Sequence, residues 1–130
     1  ARELGIAGLE AWDRLYAAEQ LKQARYAFSS QEVKQYFTEP RVLAGLFRLV
    51  ETLFGVAIRE EPAPVWHASV RFFRVYRGST PVAGFYLDLH ARPGKQQGAW
   101  MNDVRSRWLR PDGALQLPVA HLVCNFAPPV

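Results

Sequence analysis

Cysteine is almost absent from this sequence of 130 residues, which contains a single copy, Cys124. One thiol cannot form a disulfide within the chain, so a disulfide-stabilised scaffold is excluded. Long hydrophobic runs are missing too, because the most apolar stretch, residues 43–53, is interrupted by Gly45, Arg48 and Glu51. A transmembrane helix needs roughly 20 consecutive apolar residues. The sequence therefore predicts a globular chain without a membrane partner.

The first residues, 1–4, include no initiator methionine. They also lack the basic start and the long apolar core of an intact secretory signal. Together with the scarcity of cysteine, this favours the cytoplasm as the compartment of the protein.

A strong excess of one charge is also missing, since 16 Lys and Arg stand against 12 Asp and Glu, for a net charge of +4. The one dense basic group, residues 105–110, lies between turn signals and not along one predicted face. We therefore interpret the basic residues as a solvated surface and expect no nucleic-acid partner. The alternative is a stand-alone module that binds nucleic acid or an acidic partner through this surface.

Hydrophobic periodicity predicts helices in the first part of the chain. Through residues 9–28, apolar side chains recur at intervals typical of one helical face: Trp12, Leu15, Tyr16, Leu21, Ala24 and Phe28. Ser29 and Glu32 have the spacing of a capping box, in which each side chain accepts a hydrogen bond from the other residue's backbone N–H. This box predicts a second helix over residues 30–37.

The third predicted helix, residues 40–54, carries a broad apolar stripe. Pro40 suits its first position, and Glu39 is expected to lie outside the helix, because the residue before a proline avoids the helical region. Gly55 suits the left-handed conformation just past the C-terminus of the helix.

The second part of the chain follows two prolines within residues 60–64 and has the periodicity of strands. The pattern predicts strands at residues 70–77 and 82–90 joined by a turn at 78–81, a short strand at 98–101, a turn at 111–113 and a last strand at 119–126. Helices followed by strands indicate an α+β fold with an antiparallel or mixed β-sheet. We predict a helical part over residues 1–61 and a sheet part over residues 62–130.

Tyr86, Asp88 and His90 alternate with apolar residues along the second predicted strand, so they share one face of it. They form either an acid/base cluster in a cleft or a solvated face, and the solvated face is the preferred interpretation. Gly84 in the same strand leaves room for a neighbouring side chain.

Two further groups of residues are candidate binding sites. Arg92 and Lys95 lie in a glycine-containing loop that could cradle a phosphate, although no Walker-type helix follows it. The three histidines, His67, His90 and His121, lack any spacing that pre-positions metal ligands. We interpret them as unrelated polar side chains.

Several stretches of the chain match a known family: residues 1–5 and 11–13, residues 85–92 with Lys95, residues 98–101 and residues 118–126. In these stretches the sequence resembles the thimet oligopeptidase family of zinc metallopeptidases, and the resemblance extends over essentially the whole chain. His90 stands where relatives commonly have an aromatic residue.

The resemblance implies a large, mainly helical, cytoplasmic peptidase that hydrolyses short peptides in a closed channel. It also implies one zinc ion, held by an H-E-F-G-H helix that follows shortly after the position of Val130 and by a further glutamate. The chain is therefore expected to be a fragment of a larger catalytic domain, without catalytic or metal-binding residues, with no zinc bound and inactive alone.

One functional role is expected within the chain itself. In related zinc peptidases, a strand ahead of the zinc helix pairs its backbone with the extended substrate. By position, Asn125, Phe126 and Ala127 would form the substrate-binding end of that strand. The alternative is an interior strand with both neighbours in place. Because one face of the predicted sheet has no covering element, self-association through apolar surface is also expected.

Overall fold

The computed structural model of the protein describes residues 8–27 and 29–127. The chain divides into two compact units, Ala1–Leu46 and Phe47–Val130. The helices are a 3₁₀ turn at Ala11–Asp13, α1 at Arg14–Tyr26, α2 at Ser30–Lys34 and α3 at Glu39–Phe54. No helix among the described residues is both long and apolar enough to span a bilayer.

The first predicted helix, residues 9–28, is shorter than expected. It begins as the 3₁₀ turn, continues as α1 and ends at Ala27, which has the left-handed φ of 53° and donates its N–H to the Gln23 carbonyl. Phe28 lies outside the described residues. The N-terminal half of the predicted apolar face is solvent-exposed, with Trp12 at 78% and Leu15 at 86%, while α1 buries Ala17.

The capping box at the start of α2 is confirmed. The Ser29 hydroxyl accepts from the Glu32 N–H at 3.1 Å, and the Glu32 carboxylate accepts from the Ser29 N–H at 2.7 Å. The helix ends at Lys34, three residues before the predicted bound at residue 37.

Helix α3 begins one residue earlier than predicted. The Val42 N–H donates to the Thr38 carbonyl at 3.0 Å, so Glu39 is helical and Pro40 takes the second position. The proline is tolerated there because the N–H groups of the first turn have no acceptor within the helix. At the other end, Gly55 has a φ of 60° and donates to the Glu51 carbonyl, as the sequence predicts.

The second unit is built on a mixed sheet, which confirms the α+β fold class. The strands are β1 Ala57–Glu60, β2 Arg71–Arg77, β3 Thr80–His90, β4 Trp100–Arg105, β5 Trp108–Leu109, β6 Leu115–Gln116 and β7 Val119–Phe126. Five of them form one sheet in the order β1-β2-β3-β7-β4, and β5 and β6 form a separate pair. Strand β7 runs parallel to β3 and antiparallel to β4.

The predicted hairpin and last strand are confirmed. Strands β2 and β3 pair from Arg71↔Leu87 to Arg77↔Thr80 around a tight turn in which Gly78 has a φ of 59°. Pro81, which the pattern assigns to the turn, lies inside β3. A Cβ on Gly84 would lie 2.7 Å from the Phe72 ring, so any larger residue at this position would force that ring to shift.

Three short strands were not predicted. Strand β1 pairs with β2 from Ala57↔Tyr76 to Glu60↔Phe73, so the sheet begins before the predicted boundary at residues 61 and 62. The pair β5 and β6 flanks the predicted turn, where Gly113 has a φ of 81°. Strands of two to four residues are too short to show periodicity, so their pairing depends on neighbours distant in sequence.

The apolar core of the second unit lies on one face of the sheet, under the end of α3. The rings of Phe73 and Phe85, which are opposite each other in register, stack with centroids 5.3 Å apart. Phe47 packs edge-on against both, at 5.0 Å and 6.0 Å. Phe73 is 3% exposed and Leu87 on the same face is also 3% exposed.

Candidate functional site

Asp88 lies near the end of β3 and is 2% exposed. Its Oδ1 accepts from Arg92 Nη1 at 2.5 Å and from Lys95 Nζ at 2.9 Å. Its Oδ2 accepts from Arg92 Nη2 at 2.8 Å and from Trp66 Nε1 at 3.1 Å. One buried carboxylate therefore joins a strand, the loop that follows it and the loop that precedes the hairpin.

The expectation that Asp88 lies on a solvated face is wrong. A buried carboxylate stays ionised only when it is paired and hydrogen-bonded, and here two cations and an indole N–H supply four hydrogen bonds. The bidentate bond from Arg92 holds the pKa of Asp88 well below its usual range, against the opposing effect of burial, and Lys95 and Trp66 add to this lowering. Asp88 in turn raises the pKa of Arg92. The group is a permanent ion pair at neutral pH and has no free proton to transfer.

Arg92 and Lys95 do not form a phosphate cradle. Both cations are directed at the Asp88 carboxylate, and the Lys95 side chain is 6% exposed. The sequence contained the relevant signal, because a carboxylate at a strand end is followed by two cations four and seven residues later. Nothing in the sequence pattern pointed to Trp66, which comes 22 residues earlier.

The Lys95 ammonium lies between β3 and β7 where their parallel register shifts. Asp88 is opposite Val123 whereas His90 is opposite Phe126, so two steps along β3 correspond to three along β7. At this point Lys95 Nζ donates to the carbonyls of Asp88 at 2.8 Å, His90 at 2.8 Å and Cys124 at 2.6 Å. The ammonium thus supplies the donor that backbone N–H groups supply in the regular ladder.

A second contact fastens the loop at residues 92–98 to β7. The loop turns tightly, with Lys95 N–H donating to the Arg92 carbonyl and Gly98 at a φ of 115°. Asn125 Nδ2 donates to the carbonyls of Gln96 at 3.2 Å and Gly98 at 2.5 Å. The loop therefore holds the end of β7 through two contacts, the Lys95 ammonium on the Cys124 carbonyl and the Asn125 side chain on the loop carbonyls.

The predicted substrate-binding residues lie just past the pairing of β7 with β4. That ladder runs from Arg105↔Val119 to Trp100↔Val123 and stops two residues before Asn125. On the opposite side, the Phe126 carbonyl accepts from Ala91 N–H at 2.9 Å. Ala127 and the Phe126 side chain are exposed, the latter at 56%.

An aromatic cluster covers the Asp88 side of the sheet. Trp66 lies 5.2 Å from Tyr86 and 4.8 Å from His121, and Tyr86 lies 4.8 Å from Phe72. Among the described residues, His121 Nε2 is buried without a hydrogen-bond partner. Burial is the main cause that lowers the pKa of His121. Lys95 and Arg92 lower it further, while Asp88 acts in the opposite direction.

We expect the stability of the chain to fall as the pH drops below about 6.5, the ordinary pKa of histidine. Because the folded state disfavours the charged imidazole, the unfolded state binds more protons in this range, and stability rises with pH up to that value. Urea unfolding at pH 5 to 8 measures the slope. The His121→Phe variant should lose the histidine contribution, whereas His67→Gln, at an exposed position, should keep it. Equal slopes in His121→Phe and the parent chain would contradict this assignment.

The residues that the structure describes do not fit a zinc site. Within residues 8–27 and 29–127, no three His, Cys, Asp or Glu side chains come together in a way that could hold a metal ion. His67 Nδ1 lies 2.8 Å from the Ser69 hydroxyl, and His121 packs against Trp66. Asp88, the one buried carboxylate of this site, is occupied by its two cations.

A shallow cavity of about 360 Å³ lies where β1 ends and β2 begins, and its lining includes Glu60, Glu61 and Phe72. Its acidic residues are already paired. Arg71 contacts Glu60 at 2.7 Å. Glu61 accepts from Arg74 and from the Tyr76 hydroxyl. The carboxylates here tie β1 and the following residue to β2.

Among the described residues, the Asp88–Lys95 group acts as a scaffold for the end of β7. Comparison with known proteins places the chain in a family. The sequence profile of Peptidase family M3 matches residues 1–130. The chain belongs to this family of peptidases, as the resemblance in sequence predicted.

The relatives within the family include oligopeptidase A of Escherichia coli (strain K12), 42% identical over 130 residues, which are 98% of this chain and 19% of that protein. Organellar oligopeptidase A of Arabidopsis thaliana is 46% identical over 128 residues, 92% of this chain and 16% of that protein. A probable thimet oligopeptidase of the same plant is 33% identical over 118 residues, which are 88% of this chain and 17% of that protein. The chain thus spans about one fifth of the length of the curated relatives it matches.

Proposed function

We propose that this chain is one segment of a zinc-dependent oligopeptidase that hydrolyses short peptides in a channel closed to folded proteins. The observation that carries the proposal is the match of all 130 residues to Peptidase family M3. Relatives at 42% and 46% identity are named oligopeptidase A, which supports short peptides as the substrate class. The alternative, a nucleic-acid or acidic-partner binding module, has no comparable support.

The metal ligands of this peptidase are proposed to lie outside the 130 residues. The contribution of the chain to catalysis is then to position and bind the substrate, because Asp88, the buried carboxylate among its described residues, is neutralised by Arg92 and Lys95. The cytoplasm remains the proposed compartment, although relatives named both cytosolic and organellar occur. Self-association through exposed apolar side chains also remains a proposal.

Within the segment, we propose that the end of β7, Asn125 to Ala127, binds the extended substrate through main-chain hydrogen bonds. The carbonyls of Cys124 and Phe126 are directed to the β3 side, where they accept from Lys95 and Ala91. Because backbone groups alternate along a strand, those of Asn125 and Ala127 are directed to the other side, where β4 has ended. A substrate strand added there would extend the sheet. A peptide-bound structure of the whole enzyme with no substrate atom within hydrogen-bonding reach of these residues would refute this role.

The isolated chain, mixed with zinc and a quenched fluorescent peptide of about ten residues, is expected to give no hydrolysis above buffer. The reason is that no described residues form a metal site, and the proposed ligands lie elsewhere. The whole peptidase that contains the chain should cleave the same peptide, lose activity with a chelator, and leave a folded protein intact.

Two results would contradict the proposal. Turnover by the isolated chain that survives repurification and disappears with a chelator would show that the chain holds its own zinc site. A whole protein that cleaves no short peptide with zinc present would refute the oligopeptidase function itself.

A further inference from the structure

We propose that Lys95 is a positioning residue for substrate binding: its ammonium fixes the register shift between β3 and β7 and thereby sets the position of Asn125 to Ala127. This inference rests on the proposed role of the end of β7. Lys95 itself contacts no substrate in this scheme and takes no part in the chemical step.

The first argument is the set of oxygens around the ammonium. Lys95 Nζ lies within 2.6–2.9 Å of four of them, the carbonyls of Asp88, His90 and Cys124 and the carboxylate Oδ1 of Asp88. An ammonium has three N–H groups, so every one is used and one is shared. A lysine whose purpose is solubility extends into water, whereas this side chain is 6% exposed.

The second argument is where these oxygens belong. Two of the carbonyls come from β3 and the third from β7, at the point where the strands leave their regular register. A register shift leaves backbone groups without their ladder partners, and buried carbonyls without donors are costly. Lys95 supplies these donors in one place and therefore holds the two strands at a fixed separation there.

The third argument is that the contacts of Lys95 lie next to the proposed substrate-binding residues in the chain. Cys124, whose carbonyl receives the shortest of these bonds, immediately precedes Asn125. Asn125 in turn fixes the loop that carries Lys95, through the carbonyls of Gln96 and Gly98. The loop and the strand end thus position each other. Removing the ammonium is expected to release the proposed substrate-binding residues without disturbing the Phe73 core on the other face.

Lys95 has two kinds of partner, the Asp88 carboxylate and the backbone carbonyls, and a double variant separates their importance. If Lys95 is present only to neutralise Asp88, removing both charges together restores normal behaviour. If Lys95 is present to hold the carbonyls, the double change leaves the strand end free although the ammonium and its carboxylate partner are removed together. Arg92, the other partner of Asp88, has a side chain that is one-fifth exposed, and the Asp88→Asn change leaves it an amide oxygen as acceptor.

The experiment compares Lys95→Met, Asp88→Asn and the double variant in the whole peptidase, with Lys34→Met on exposed α2 as the matched control. Steady-state kinetics on a short peptide and hydrogen exchange of the segment covering residues 119–127 are measured for each. We expect Lys95→Met and the double variant to raise KM about tenfold, with kcat within about twofold of the parent. Both should accelerate exchange at residues 125–127, and Lys34→Met should change neither measurement.

Three results would overturn the proposal, and each identifies a different error. Unchanged exchange in both Lys95 variants would show that the ammonium does not hold the strand end. Normal KM and exchange in the double variant would reduce Lys95 to a counter-ion of Asp88. Faster exchange with an unchanged KM would show that Lys95 holds a strand end that substrate does not use, in which case the proposed role of β7 fails while the oligopeptidase activity stands.

Discussion

Replacing Asp88 with alanine is expected to lower the free energy of unfolding by about 3–5 kcal/mol. The substitution leaves the Lys95 ammonium in a site that is 6% exposed, without its carboxylate partner, and removes the acceptor of the Trp66 indole. An unpaired buried charge costs more than the pair contributes, so the loss exceeds the net value of the ion pair. Since a whole domain has about 5–15 kcal/mol of stability, this is a large fraction.

Urea unfolding followed by tryptophan fluorescence and by circular dichroism measures this loss. Asp103→Ala is the matched control, because Asp103 is an exposed aspartate in the neighbouring strand β4 and should change stability by less than about 0.5 kcal/mol. Equal losses in the two variants would show that the hydrogen bonds of Asp88 contribute no more to the free energy of unfolding than an exposed aspartate does.

Replacing Phe73 with alanine is expected to cost a similar amount, about 3–5 kcal/mol. Phe73 is 3% exposed and contacts two other rings, Phe47 at 5.0 Å and Phe85 at 5.3 Å. Truncation removes the buried ring and leaves a cavity that the flanking rings, which belong to a helix and a strand, can fill only in part.

The matched control for this variant is Phe54→Ala at the end of α3, where the ring is 65% exposed. Its loss should be below about 1 kcal/mol, because little area is returned to water. The same urea titrations compare the two. A Phe73→Ala variant as stable as Phe54→Ala would place the core of the second unit elsewhere.

Much of the fold could be predicted from the sequence where the local signals are strong. The capping box at Ser29, the glycine that ends α3 and both bounds of β7 are confirmed. These features depend on a few neighbouring residues, such as a hydroxyl before a helix or six or more alternating side chains. The family could be predicted as well, because long stretches of the chain resemble it.

The candidate site could not be predicted to the same extent, because its groups meet only in the folded chain. Alternation along β3 made Asp88 look solvated, since a charged residue opposite an apolar face is usually in water. Its burial depends on Trp66 from one loop and on Arg92 and Lys95 from another. The path of the second loop depends on two glycines with positive φ, and no periodicity describes such a loop.

The place of β7 between β3 and β4 determines how the second unit can assemble. The hairpin of β2 and β3 closes through a turn of two residues, whereas 28 residues separate the end of β3 at His90 from the start of its partner β7 at Val119. Closing the longer loop costs more chain entropy and delays non-local pairing. Strand β4 joins the five-stranded sheet through β7, so it cannot dock there first. The strand proposed to meet substrate is therefore expected to insert late in folding, and its arrival joins β4 to the three strands β1, β2 and β3.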